Sequence, residues 1–394
     1  MMHSEKPYSG DSSLPWNLAS LSEVPEVYPV PERNDGEVRA ILFEGVPCEG
    51  RPTRVFAYYA IPESAPESKV PAMVLVHGGG GTAYAEWVRI WTNRGYAAIA
   101  IDLEGQLPGE KNSDGKRPRH AWSGPARQEI FADSALPVEE QWMYHAVAAV
   151  IRAHSLLRSF DAVDDTRIGI TGISWGGIVT SLVAGVDARF AFAIPVYGCG
   201  YLFEAANHFG QSFAAMPNGQ ADTVKRLWDP SAYFHRISMP MLWVNGSEDR
   251  HFPVHLFSKS YQASQNGRTG SAMSIQFDLG HSHKAGWQPR EIYAFADQIV
   301  KDGRKLPVLA EMELEANRAI LPFDSEALLQ KAELRYAFET GDWFGVAWQN
   351  GEARIDLDAQ VIRAVVPDGT AAFFFQVTDE DDCVVSSHIY TLPA

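Results

Sequence analysis

The sequence of 394 residues holds only three cysteines, Cys48, Cys199 and Cys383, far apart and without a CxxC pair. So sparse and odd a set excludes a disulfide framework and reads as free thiols in a reducing compartment. No stretch approaches the ~20 apolar residues needed to span a bilayer. The beginning, MMHSEKPYSGDSSLPWNLAS, lacks an apolar core of signal-peptide length. A cytoplasmic protein is expected, or a secreted one if a leader has been removed. Positive charge is also short, with 33 Lys and Arg against 49 Asp and Glu, for a formal net charge of −16. That balance argues against a nucleic-acid backbone or an anionic membrane surface as partner, and otherwise favours solubility. No internal repeat is visible.

What is present is ordinary for a globular protein, with 46% hydrophobic and 21% charged residues. The length exceeds one typical domain, so a large domain and a smaller one are expected. Residues 1–35, rich in Pro, Ser and Glu, read as an irregular arm. EVRAILFEGV (37–46) and RPTRVFAYYAIP (51–62) read as an antiparallel strand pair. Short apolar runs follow: AMVLVHG (72–78), YAAIAIDL (96–103), RIGITGIS (167–174), FAFAIPVYG (190–198), MLWVNG (241–246) and MSIQFDLG (273–280). They have the length and continuous apolar character of strands buried on both faces of a parallel sheet.

Helices are expected between them, around 84–94, 138–160, 176–185, 254–264 and 288–302. Alternating strands and helices imply an open, mostly parallel sheet with helices on both faces, over residues 36–303. Two segments, 104–136 and 199–238, break the rhythm and read as functional loops or lids. From residue 304 to 394 the runs KAELRYAFE, GVAWQNG, ARIDLDA, TAAFFFQVTDE and CVVSSHIYTL are short strands with turn signals between them. These predict a small C-terminal β-sandwich domain of the immunoglobulin or fibronectin type III kind.

Gly172-Ile173-Ser174-Trp175-Gly176 matches G-x-S-x-G. The pattern alone says little, but here a β-branched run ends at Ser174 and a helix led by two glycines follows. A sharp strand-to-helix turn would hold the serine strained, with Oγ exposed, and flanking glycines avoid a clash. A serine hydroxyl needs a base, and the base needs a third group to orient it. In this arrangement the chain order is Ser, acid, His. NGSEDRHFPV places Asp249 after one strand, and FDLGHSHKAGW places His281 after the last. Glu248 is the rival acid and His283 the rival base. His281 and His283, or His251 and His255, could be read as metal ligands, yet no coherent third and fourth ligand joins them, so no metal is expected.

VLVHGGGGTA puts His77 and Gly78 to Gly81 after another strand. Such a loop can aim backbone N–H groups at a tetrahedral oxygen, together with the N–H of Trp175. Gly79 is the first choice for the second donor and Gly78 the next. A phosphate cradle is the competing reading, but no Lys-Ser/Thr follows the glycines. His77 reads as a loop-holding residue. Trp122 and Trp87 are candidate substrate-binding residues, with Trp175 and Trp287 near the same segments, because aromatic faces pack on sugar rings. KRPRHAWS (116–123) is a basic patch that could hold an anionic group, or simply a solvated loop.

Over about residues 36–303 the chain resembles the α/β-hydrolase superfamily. Within it, PTRVFAYYAIPE, VLVHGGGGTA, WTNRGYAAIAIDLEG, ITGISWGG and LWVNGSED look like the acetyl xylan esterase and dienelactone hydrolase branch. The resemblance implies Ser174, Asp249 and His281 as a catalytic triad, Trp175 and Gly79 as oxyanion donors, carboxylic ester substrates (often acetylated sugars) and no cofactor. Dienelactone hydrolases carry Cys at the nucleophile, so Ser174 favours the esterase side. The expected activity is that of a serine carboxylesterase acting on small-molecule or oligosaccharide esters. A serine peptidase of the same fold and a catalytically dead binding module are the alternatives. Whether the chain forms a homo-oligomer is left open.

Overall fold

The computed structural model describes residues 14–62, 69–113, 115–217, 219–266 and 270–393. The first sheet runs β1 (Val27–Pro29), β2 (Arg39–Glu44), β3 (Arg54–Ala60), β4 (Val70–Val76), β5 (Ala97–Ile101), β6 (Val163–Ile173), β7 (Phe192–Val196), β8 (Leu242–Gly246) and β9 (Ala272–Gln276) in chain order. In space the order is β1-β2-β3-β5-β4-β6-β7-β8-β9. β1, β2 and β3 pair antiparallel, as do β3 and β5, and every pair from β5 across to β9 is parallel. β4, β5, β7 and β8 are buried along their whole length, because helices cover both faces; this is why their sequences show no polar alternation.

The helices are α1 (Leu18–Leu21), α2 (Ala85–Thr92), α3 (Trp142–Arg158), α4 (Trp175–Ala184), α5 (His208–Ala215), α6 (Gln220–Trp228), α7 (Val254–Ser264), α8 (His283–Gly286) and α9 (Arg290–Val300). α3 starts at Trp142, later than the sequence pattern predicts. Pro137 leads into a 3-10 turn at Val138–Glu140, and the Asp133 carboxylate then accepts the Trp142 N–H at 2.6 Å. The segment 199–238, read above as a lid, is not structureless, since it contains α5 and α6. Buried Asp229 ties it together by accepting the N–H groups of Tyr201, Leu202 and Ser231. The expected irregular arm holds α1 and the edge strand β1, while its first thirteen residues lie outside the described residues.

The C-terminal strands are β10 (Val308–Leu309), β11 (Glu313–Glu315), β12 (Arg318–Asp324), β13 (Leu329–Ala337), β14 (Gln349–Asp356), β15 (Val361–Val365), β16 (Ala372–Asp379), β17 (Val384–Ser386) and β18 (Tyr390–Thr391). All pair antiparallel, in the order β10-β12-β15-β14-β13-β16-β17, with β11 on β12 and β18 on β16. The two expected strands GVAWQNG and ARIDLDA are in fact one, β14. Its first half pairs with β13 (Glu333 opposite Glu352) and its second with β15 (Ala353 opposite Ala364). The sheet curls on itself through this shared strand.

The second sheet covers the open edge of the first. At the edge strand β9, the Ile275 N–H donates to Ser386 Oγ at 3.1 Å, and the Ile275 carbonyl accepts from Gln376 Nε2 at 2.7 Å. Just beyond β9, the Phe277 ring lies 4.0 Å from the Arg335 guanidinium and stacks with Phe374 at 6.5 Å. Among the described residues no helix is long and apolar enough to cross a membrane.

Candidate active site

Ser174 occupies the turn from β6 into α4, with φ 56° and ψ −115°. A non-glycine residue in that region is strained, and the surroundings must hold it there. They do so by close backbone packing. A Cβ on Gly172 would lie 2.1 Å from the Gly176 carbonyl oxygen, and one on Gly176 would lie 2.1 Å from that of Val76. No side chain fits at either position. The Ser174 N–H donates to the Val196 carbonyl at 2.8 Å, which fixes the turn against β7.

Asp249 follows β8. Its Oδ1 accepts the N–H groups of His251 and Phe252, both at 2.8 Å, so Oδ2 is left for the imidazole. His281 follows β9. Its Nδ1 donates to Asp249 Oδ2 at 2.5 Å, and its Nε2 accepts the Ser174 hydroxyl at 3.0 Å. The Asp249 side chain is 1% exposed and that of His281 22%, so the pair is shielded on the carboxylate side and open toward the serine. The Tyr197 and His251 rings each lie 4.6 Å from the imidazole, and the Tyr197 hydroxyl donates to the Gly280 carbonyl at 2.8 Å. Glu248, the rival acid, points to solvent. Three strand ends thus bring a hydroxyl, an imidazole and a carboxylate into one hydrogen-bonded row, as nucleophilic catalysis requires.

His283, the rival base, serves another part of the site. Its Nε2 accepts the Gly78 N–H at 2.8 Å, and burial pushes its pKa down to about 3, so it stays a neutral acceptor. His77 also works inside the glycine loop, with Nδ1 donating to the Gly78 carbonyl at 2.7 Å and Nε2 accepting the Leu103 N–H at 2.9 Å. Because the Gly78 N–H is taken, it is not available to a substrate. The Gly79 N–H, and that of Trp175 at the first residue of α4, have no acceptor among the described residues. The two residues are neighbours, since a Cβ on Gly79 would lie 3.0 Å from the Trp175 ring.

The tryptophan candidates separate. Trp175 is packed at its ring by Phe131, Trp142 and Phe209, each at 5.6 Å. Trp87 is 2% exposed and stacks on Trp287 at 5.4 Å, so it belongs to the core beneath α2 and cannot meet a substrate. Trp122 is exposed, but its ring faces the Arg54 guanidinium at 4.3 Å, apart from the Ser174 row. The two histidines weighed as a metal pair also part: His251 packs on His281, while His255 stacks on Trp343 at 4.5 Å.

The basic patch turns inward. Arg117 Nη1 donates to the Gly80 carbonyl at 2.9 Å and the Gly81 carbonyl at 3.2 Å, and Arg119 donates to the Gly124 carbonyl. Arg127 and Glu104, which the sequence did not single out, lie beside Trp175 and the glycine loop. They come from a long segment without periodicity, so nothing in the pattern marks them. A cleft of about 380 Å³, lined by Glu248 to His251 and Asp278 to His281, lies beside the Asp249–His281 pair.

Residues 27–210 match the family model for acetyl xylan esterase (AXE1), and residues 131–303 that for the prolyl oligopeptidase family. The structure superimposes on acetyl xylan esterase from Paenibacillus sp. R4 with a TM-score of 0.54 and 20% identity, covering 72% of this chain and 92% of that one. The chain has the α/β-hydrolase fold. Acetyl xylan esterase 1 from Thermoanaerobacterium sp. JW/SL YS485 gives a TM-score of 0.53 at 18% identity, over 75% of this chain and 96% of that one. Among curated proteins, the uncharacterized peptidase YuxL of Bacillus subtilis (strain 168) is 22% identical over 198 residues, 48% of this chain. The chain spans 27% and 41% of the lengths of two curated relatives that it matches.

Proposed function

We propose that this α/β-hydrolase is a serine carboxylesterase for short acyl groups, with acetyl esters of carbohydrates as the substrate class. The observation that carries the reading is the row of two hydrogen bonds from Ser174 Oγ through His281 to Asp249 Oδ2. In this mechanism His281 Nε2 takes the Ser174 proton as Oγ attacks the acyl carbon. Asp249 keeps the imidazole in the Nδ1–H tautomer and stabilises the imidazolium. The Gly79 and Trp175 N–H groups hold the oxyanion, and the His281 proton passes to the departing alcohol as the ester C–O bond breaks. Water, activated by His281, then releases the acid from Ser174. The closely packed aromatic wall around Trp175 supports a short acyl group. The acetyl xylan esterase match over residues 27–210 supports the sugar ester class.

Hydrolysis of 4-nitrophenyl acetate, butyrate and octanoate by wild type and Ser174→Ala tests the mechanism, and acetate release from acetylated xylo-oligosaccharides tests the substrate. Cleavage favouring the short esters and lost by several orders of magnitude in Ser174→Ala is expected. The match of residues 131–303 to the prolyl oligopeptidase family favours a second reading, a peptidase using the same row. Cleavage of peptide 4-nitroanilides in preference to acetyl esters would replace the esterase reading.

A further inference from the structure

Two arginines from the segment between β5 and α3 reach the glycine loop, and they are used differently. Arg117 spends its guanidinium on the Gly80 and Gly81 carbonyls. Arg127 is held from behind: Glu104 accepts its backbone N–H at 3.1 Å and its Nε at 3.2 Å. That carboxylate is 7% exposed, so the pairing fixes the arginine firmly. Among the described residues the hydrogen bonds of the Arg127 guanidinium run through Nε alone, and the side chain is 16% exposed. The free fork lies over Trp175, with the guanidinium carbon 5.0 Å from the ring centre. It also fills the side-chain space of Gly79, where a Cβ would sit 3.0 Å from Nη2 and 3.0 Å from the Trp175 ring.

Resting on the esterase reading, we propose that Arg127 forms an anion subsite for the acyl part of the substrate. Among acyl chains longer than acetyl, those that carry a carboxylate close to the scissile carbonyl are preferred. The two residues that flank the fork are the ones offering free N–H groups to the oxyanion, so a group bound there belongs to the acyl half. A guanidinium fork matches a carboxylate in two parallel hydrogen bonds, and Glu104 engages only Nε, on its far side. In a chain of net charge −16 such a site also works against the overall field, which makes it selective for a ligand that the fork itself contacts.

The test compares mono-4-nitrophenyl succinate with 4-nitrophenyl butyrate, and adds 4-acetoxybenzoate, whose carboxylate is on the leaving group. Wild type is expected to favour the succinate, and Arg127→Gln to lower the succinate-to-butyrate ratio of kcat/KM at least about tenfold, through KM. Arg127→Lys keeps a cation beside Glu104 but loses the fork, so it controls for misfolding and is expected to lower the same ratio. An unchanged ratio overturns the proposal. So does an equal fall in kcat on both esters, which would make Arg127 an oxyanion donor, or a comparable loss on 4-acetoxybenzoate, which would place the anion on the alcohol side. Calorimetric binding of monomethyl succinate to Ser174→Ala, lost in Ser174→Ala/Arg127→Gln, reads the subsite without turnover. Binding without any ester cleavage by wild type would retain the subsite and refute the esterase. Ester cleavage with an unchanged ratio would do the reverse.

Discussion

His283 accepts the amide hydrogen of Gly78 across 205 residues of chain, two positions after the imidazole that faces Ser174. One short loop therefore carries the imidazole that meets Ser174 and also steadies the glycine loop. His283→Ala is expected to lower kcat by about tenfold, the scale of one hydrogen bond that positions a reacting group, with KM little changed. His283→Gln, which can still accept from Gly78, is expected to recover most of that loss. His281→Ala should abolish turnover. Equal losses in His283→Ala and His283→Gln would assign His283 to packing instead.

The backbone of Ser174 is held at positive φ, and glycine relieves such strain where alanine cannot. Ser174→Gly is expected to be more stable than Ser174→Ala by about 1 kcal/mol, both being inactive. Denaturant unfolding of the two variants measures the difference, and superimposable curves would contradict a strained turn.

Glu291 on α9 is 1% exposed and accepts the Val384 N–H and Gln276 Nε2, while its second oxygen has no partner. Burial pushes its pKa from 4.5 up to about 7. The folded protein therefore keeps a proton that the unfolded chain has released. Its contribution to stability is full below pH 4.5 and is lost as pH rises toward 7. Glu291→Gln holds a neutral amide there at every pH. Melting of this variant relative to wild type is expected to improve from pH 5 to pH 8, and a constant offset would show that Glu291 does not titrate in this range.

Gln376 and Ser386 satisfy the N–H and carbonyl of Ile275, six residues before His281. Gln376→Ala is expected to slow turnover severalfold and to raise hydrogen exchange at residues 275–281, with Ser174-side exchange unchanged. Activity loss without local exchange would point to a cause elsewhere in the fold.

The parallel strands and the residues at their ends were legible because each lesson is local. A continuous apolar run ends, and a Ser, Asp or His follows within a few positions. The bend of β14 was not legible, because pairing first with β13 and then with β15 is decided by neighbours distant in sequence. α5 and α6, of eight and nine residues, are too short for a clear period in a segment with many turns. Trp87 and Trp122 show the limit for single side chains. Residue type marks them as able to stack on a sugar, but only packing shows that one is buried under Trp287 and the other engaged by Arg54. Arg117 was seen as charge alone, though its task is to hold two carbonyls of the glycine loop.

The seam at β9 also orders events in time. Gln376, which closes the edge at Ile275, is synthesised 101 residues after it. A ribosome that has just released the histidine loop presents a sheet with a bare margin, the kind of edge that recruits other strands. The hydrolase sheet is finished only when the second sheet arrives. Completion of the edge thus waits until late in translation, and a nascent chain held between the two sheets exposes an unpaired margin of the kind that invites misassembly.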